Sequence, residues 1–103
     1  MSDKIGRKTT PEHCWMLPTT SENIEEVLLT YSQNGVILVE KTLKDVTIRD
    51  NQLIYKLTQE ETFKFQSCFD LDMQLEIKTV SGDILQSDVI TLSVARCLNE
   101  RLL

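Results

Sequence analysis

Apolar and polar residues alternate without a break through Leu71-Asp72-Met73-Gln74-Leu75-Glu76-Ile77-Lys78. Successive side chains of an extended strand point to opposite faces, so this run predicts a strand with one face on a core and the other in water. Shorter runs of the same period recur along the chain with turn residues between them. Ile24 to Tyr31 alternates less cleanly and leads into Asn34-Gly35, a pair that favours positive φ at both turn positions, after which Val36 to Lys41 is β-branched and apolar. A hairpin is predicted there. A second hairpin is predicted where Val46-Thr47-Ile48-Arg49 turns at Asp50-Asn51 into Leu53-Ile54-Tyr55-Lys56-Leu57, with Leu53, Tyr55 and Leu57 facing inward. A third follows Ser81-Gly82-Asp83, beyond which Ile90, Leu92 and Val94 share one face.

Two punctuating signals remain. Thr58-Gln59-Glu60-Glu61 is a capping box, so a single helical turn near 59–63 is expected to cross between sheets. Pro11 and Pro18 bracket Glu12-His13-Cys14-Trp15-Met16-Leu17, and proline's missing N–H suits that segment to a sheet edge. Seven strands are thus expected, at about 12–17, 24–32, 35–42, 45–49, 52–58, 70–80 and 84–96. Their sequential hairpins point to an all-β, immunoglobulin-like antiparallel sandwich occupying residues 11–103, with residues 1–10 as a flexible tail. A small barrel would show the same periodicity. The Cys-Trp-Cys order of a true immunoglobulin domain is missing, because Trp15 follows Cys14 directly.

With 103 residues, 41% of them hydrophobic and 26% charged, the chain suits one folded core. A net charge of −5 repels phosphate backbones and argues against nucleic acid as a partner. The polar opening Met1-Ser2-Asp3-Lys4 does not read as a signal peptide and no apolar run is long enough to span a bilayer, so a cytoplasmic protein with no membrane partner is expected. Cys14, Cys68 and Cys97 are odd in number and widely spaced, which predicts reduced thiols.

The chemistry-bearing residues are few. His13 and Cys14 are adjacent, but neighbours on a strand face opposite ways, which argues against a thiolate–imidazole pair. Asp70 and Asp72, with Glu60 and Glu61, lack the loop glycine and later bidentate glutamate of a calcium loop and read as solvated acids. Phe63, Phe65 and Phe69 fit a core better than an aromatic platform. No catalytic, cofactor-binding or metal-ligating residue is assigned, and no cofactor is expected. Candidate partner-binding residues are Trp15, on an edge strand, and Leu98 and Leu102, at near-helical spacing beyond the last strand.

Thr9-Thr10-Pro11 with Leu17-Pro18, Tyr31-Ser32-Gln33-Asn34-Gly35, Leu57-Thr58-Gln59-Glu60-Glu61-Thr62 and Ser87-Asp88-Val89-Ile90 together resemble small prophage-associated proteins of Gram-positive gut bacteria. Some of that group look similar to the amino-terminal module of phage baseplate or tail-tip proteins. The resemblance implies a non-enzymatic structural or adaptor module that assembles with copies of itself or with other virion proteins. A cytosolic module that binds a peptide or carbohydrate is the competing expectation.

Overall fold

The computed structural model describes residues 4–99 and 101–103. The described chain is 52% strand and 11% helix. In chain order the strands are β1 (Lys4–Gly6), β2 (Glu12–Met16), β3 (Ile24–Gln33), β4 (Val36–Thr42), β5 (Thr47–Arg49), β6 (Gln52–Lys56), β7 (Leu71–Thr79), β8 (Ile84–Gln86) and β9 (Ile90–Ala95). The helix α1 (Gln59–Phe63) lies between β6 and β7, and 3-10 turns occupy Ser21–Asn23 and Leu43–Asp45. Asn34 and Gly35 take φ of 50° and 79°, and Asp50 and Asn51 take 53° and 60°. Two-residue turns with both φ positive match the right-handed strand twist, and they close the β3–β4 and β5–β6 hairpins.

The strands form two separate sheets, so the chain is not one closed barrel. The larger runs β1-β9-β7-β3-β4, with β8 also paired to β7, and the smaller runs β2-β6-β5. Along β7 the residues Leu71, Met73, Leu75 and Ile77 are buried while Asp72, Gln74, Glu76 and Lys78 lie on the other face. Directly paired residues share a face, so Val27, Leu29 and Tyr31 of β3 join the buried side. Leu53, Tyr55 and Leu57 are buried beneath them as expected, and the two sheets share one core. Thr58 caps α1: its hydroxyl accepts from the Glu61 amide at 3.2 Å, and the Glu61 carboxylate accepts from the Thr58 amide at 2.9 Å.

Three expectations are corrected. Residues 4–10 are not a loose tail, because Lys4–Gly6 pairs with Ser93, Val94 and Ala95 and Ile5 is 2% exposed; residues 1–3 lie outside the described residues. That pairing is parallel, so the larger sheet is mixed and not purely antiparallel. The single strand expected at 84–96 is broken at 87–89. Ser87 bonds Leu75 through its amide, at 2.8 Å to the carbonyl, and through its hydroxyl, at 2.9 Å from the amide. Its side chain thereby occupies a ladder position of β7, and the chain steps from β8 at one end of that edge to β9 at the other.

Candidate functional site

Several polar side chains inside the fold are paired with one another. The Tyr55 hydroxyl donates to Glu61 Oε1 at 2.6 Å, and Lys41 Nζ lies 2.9 Å from Glu61 Oε2. This cluster ties β4 of the large sheet to β6 and α1 beside the small one. Burial pushes the Tyr55 hydroxyl up to about 12, helped by the Glu61 hydrogen bond and charge. Burial also acts to raise Glu61, but hydrogen bonds from Tyr55, the Thr58 amide and Lys41 outweigh it and hold the carboxyl below its ordinary value. The Glu61 hydrogen bond keeps Lys41 above its own. Every member therefore holds its resting charge at neutral pH, and the three side chains clip β4, β6 and α1 together.

Beside it, His13 Nδ1 lies 2.8 Å from the Tyr31 hydroxyl. The Tyr31 ring is fully buried and stacks on Phe65 with centroids 6.0 Å apart. Burial pushes the Tyr31 hydroxyl far above its ordinary range and holds the His13 imidazole below its own. Cys14, the next residue along β2, is exposed, so the His13–Cys14 pair is not brought together. A third polar clamp comes from Gln33: its amide nitrogen donates to the carbonyls of Gln66 and Phe69 at 2.7 and 2.9 Å, and its oxygen accepts from the Gln66 amide at 2.7 Å.

A concave feature with room for a ligand lies on the outer face of the large sheet. A cleft of about 710 Å³ crosses the strands over Leu28, with Leu43 and Ile84 at its ends and Glu26, Lys44, Glu76 and Lys78 around its rim. The sheet ladder builds it: Leu28 stands between Thr42 of β4 and Glu76 of β7, while Glu26 and Ile84 flank Lys78 in the next row. Side chains in adjacent rows of one face are neighbours, so an apolar floor with a charged rim follows from the register. Among the described residues, Glu26, Lys44 and Lys78 form no ion pair.

No protein-family model, curated protein or solved structure matches the chain.

Of the candidate partner-binding residues, Trp15 is 7% exposed and packed in the core, where its ring meets His13 edge-on at 6.0 Å, so it does not present itself to a partner. The proline-bounded segment is a sheet edge as expected, but the side chain is on its inner face. Leu98 is 94% exposed and Leu102 38%. They do not share a helix face, because residues 96–99 and 101–103 are irregular. Phe65 is buried, Phe63 lies under the Arg7 guanidinium at 4.9 Å, and Phe69 is partly exposed, so no aromatic platform forms. Asp72 accepts from the Thr91 hydroxyl at 2.8 Å on the sheet surface. Among the described residues no three His, Cys, Asp or Glu side chains gather to hold a metal, and no helix is long and apolar enough to cross a membrane.

The sequence reading missed the cleft. Its signal was the apolar Leu28 and Ile84 at positions where the alternation calls for polar residues, which shows only once the β3–β7–β8 register is known.

Proposed function

We propose that the chain is a non-enzymatic structural or adaptor module that works by protein–protein assembly, made in the cytoplasm and incorporated into a phage-derived particle. The observation that carries this is a division of labour among side chains. The titratable groups of the interior are tied up in the Lys41–Glu61–Tyr55 and His13–Tyr31 contacts. Meanwhile large apolar side chains stand in solvent on the β4 edge (Val36, Ile37), at the cleft (Leu43, Ile84) and at Leu98. An unpaired strand edge and clustered apolar surface are the ordinary substrate of assembly. The virion setting is supported by the likeness of the turn and strand segments to prophage-associated proteins.

Strand order supports an immunoglobulin-like reading of the two layers. With β2, β6 and β5 as B, E and D, and β3, β4, β7 and β9 as C, C′, F and G, the smaller sheet is B-E-D and the larger is G-F-C-C′. The parallel β1 lies outside G, and β8 is an addition between F and G. The chain departs from antibody domains in having no B–F disulfide and in carrying its tryptophan on the B-type strand. A second reading, capture of a peptide or carbohydrate, is favoured by the charged-rim cleft alone.

Light scattering over a concentration series tests assembly. The expected result is a mass rising above 11.9 kDa with concentration. A mass fixed at the monomer value up to millimolar protein contradicts self-assembly and leaves assembly with other proteins of the particle or the ligand-binding reading.

A further inference from the structure

We propose that Asn34-Gly35, at the tip of the β3–β4 hairpin, is a site of spontaneous covalent modification. In the folded chain the Gly35 backbone nitrogen displaces the Asn34 side-chain amide, and the isoaspartate that results unlocks the hairpin at Gln33.

The tip presents both reacting groups to each other and to water. Asn34 and Gly35 are exposed, and among the described residues neither the Asn34 side chain nor the Gly35 amide makes a hydrogen bond. A Cβ built on Gly35 would meet nothing within 4 Å, so the way to its nitrogen is open. The turn holds Gly35 at a φ of 79°, which is why glycine stands there. The requirement of a tight turn thus places the least hindered nitrogen in the chain directly after an asparagine.

The other asparagines lack this combination. Asn51 also sits in a two-residue turn, but at its second position, so the nitrogen after it belongs to Gln52, a ladder residue opposite Arg49. Asn23 Nδ2 donates to Thr19 Oγ1 at 3.0 Å, and the next residue is the β-branched, buried Ile24. Asn99 Oδ1 accepts from the Arg101 amide at 2.9 Å.

The chemistry needs water alone. The Gly35 nitrogen gives up its proton and bonds to Asn34 Cγ, the Cγ–Nδ2 bond breaks, and Nδ2 leaves with that proton as ammonia. A cyclic imide remains. Water adding at Cγ reopens it to aspartate on the original main chain. Water adding at the Asn34 main-chain carbonyl carbon instead routes the chain through Cβ and Cγ, as isoaspartate.

The two products differ in what they do to the fold. Aspartate-glycine serves the same turn as asparagine-glycine. Isoaspartate inserts a methylene into the main chain of a two-residue turn, and Gln33 and Val36, opposed across it, no longer align. Gln33 is the residue that clamps the Gln66 amide and the Gln66 and Phe69 carbonyls. Displacing it loosens the 66–69 loop together with the end of β4, where Val36 and Ile37 stand exposed.

Peptide mapping by mass spectrometry tests this on folded protein held at mildly alkaline pH, where the Gly35 amide is deprotonated more often. Asn34 is expected to convert to isoaspartyl and aspartyl forms about tenfold or more faster than Asn23, Asn51 and Asn99, since glycine leaves its nitrogen unshielded. The aged protein is expected to exchange the Gln66 amide hydrogen faster than fresh protein. Fresh Asn34→Asp, with the same charge on an ordinary main chain, is expected not to. Asn34→Gly keeps a turn of positive φ and is expected to age with neither change. Conversion of Asn34 no faster than of Asn51 overturns the site. Conversion that proceeds in urea but stops in the folded chain overturns its operation in the native protein. An isoaspartyl form that exchanges the Gln66 amide as slowly as fresh protein overturns the unlocking.

Discussion

Gln33 carries more of the structure than its type suggests. Its buried amide answers three backbone groups of the 66–69 loop, and removing it takes the partner from the Phe69 carbonyl and the Gln66 amide, while the Gln66 carbonyl keeps its bond from the Phe69 amide. Gln33→Ala is expected to cost about 2–4 kcal/mol in urea unfolding, and Gln33→Glu no less, because an acceptor would then face two carbonyl oxygens. His13 sets a pH dependence. Burial holds its folded pKa below the ordinary 6.5, so as pH falls the unfolded chain takes up the proton first. Its contribution is complete above 6.5, is lost as pH falls from there to the folded pKa, and is level below that. The urea midpoint of His13→Gln should lack this sloping window. Trp15 is the residue whose role changes most on folding, because its indole N–H is buried without a protein acceptor. Trp15→Ala should cost about 3–5 kcal/mol and Trp15→Phe clearly less, since phenylalanine keeps most of the packing and removes the orphaned donor. The partners of Gln33 and His13 are not legible in the sequence, whereas core burial is already the leading reading of Trp15, which its edge strand makes a partner-binding candidate as well.

At the scale of elements, much could be read directly. The alternation of β7, the Asn34-Gly35 and Asp50-Asn51 turns and the Thr58 capping box are local signals, and each forms where its residues require. What escaped was non-local. Lys4-Ile5-Gly6 is too short to show a period and becomes a strand only because β9 offers it an edge. Ile5→Ala is therefore expected to cost about 2–4 kcal/mol by urea unfolding, where a loose tail would give no change. The break at Ser87 was equally hidden, because nothing in the 84–96 pattern shows that β7 can pair β8 and β9 in succession. α1 matters beyond its length, since it delivers Glu61 to Lys41 and so joins the sheets at the β4 edge. Thr58→Ala should destabilise by about 1 kcal/mol in the same assay, because it undoes the cap that positions Glu61.

Taken whole, the molecule pairs Lys41, Glu61 and Tyr55 with one another inside the fold and leaves leucine and isoleucine side chains in solvent. With a net charge of −5, copies repel at low ionic strength, so added salt should strengthen self-association. The predominance of strands was readable from period-two patterning, but the candidate site was not. The site is a product of cross-strand register, and Leu28, Leu43 and Ile84 are distant in sequence. The claim that the chain assembles through its exposed apolar surface is tested most directly by hydrogen exchange, comparing dilute with concentrated protein. Protection is expected to rise along the unpaired β4 edge and the turn after it, over residues 36–44, with the amides of β2 and β6 unchanged. Protection that rises on β2 and β6 instead, or nowhere, would contradict it.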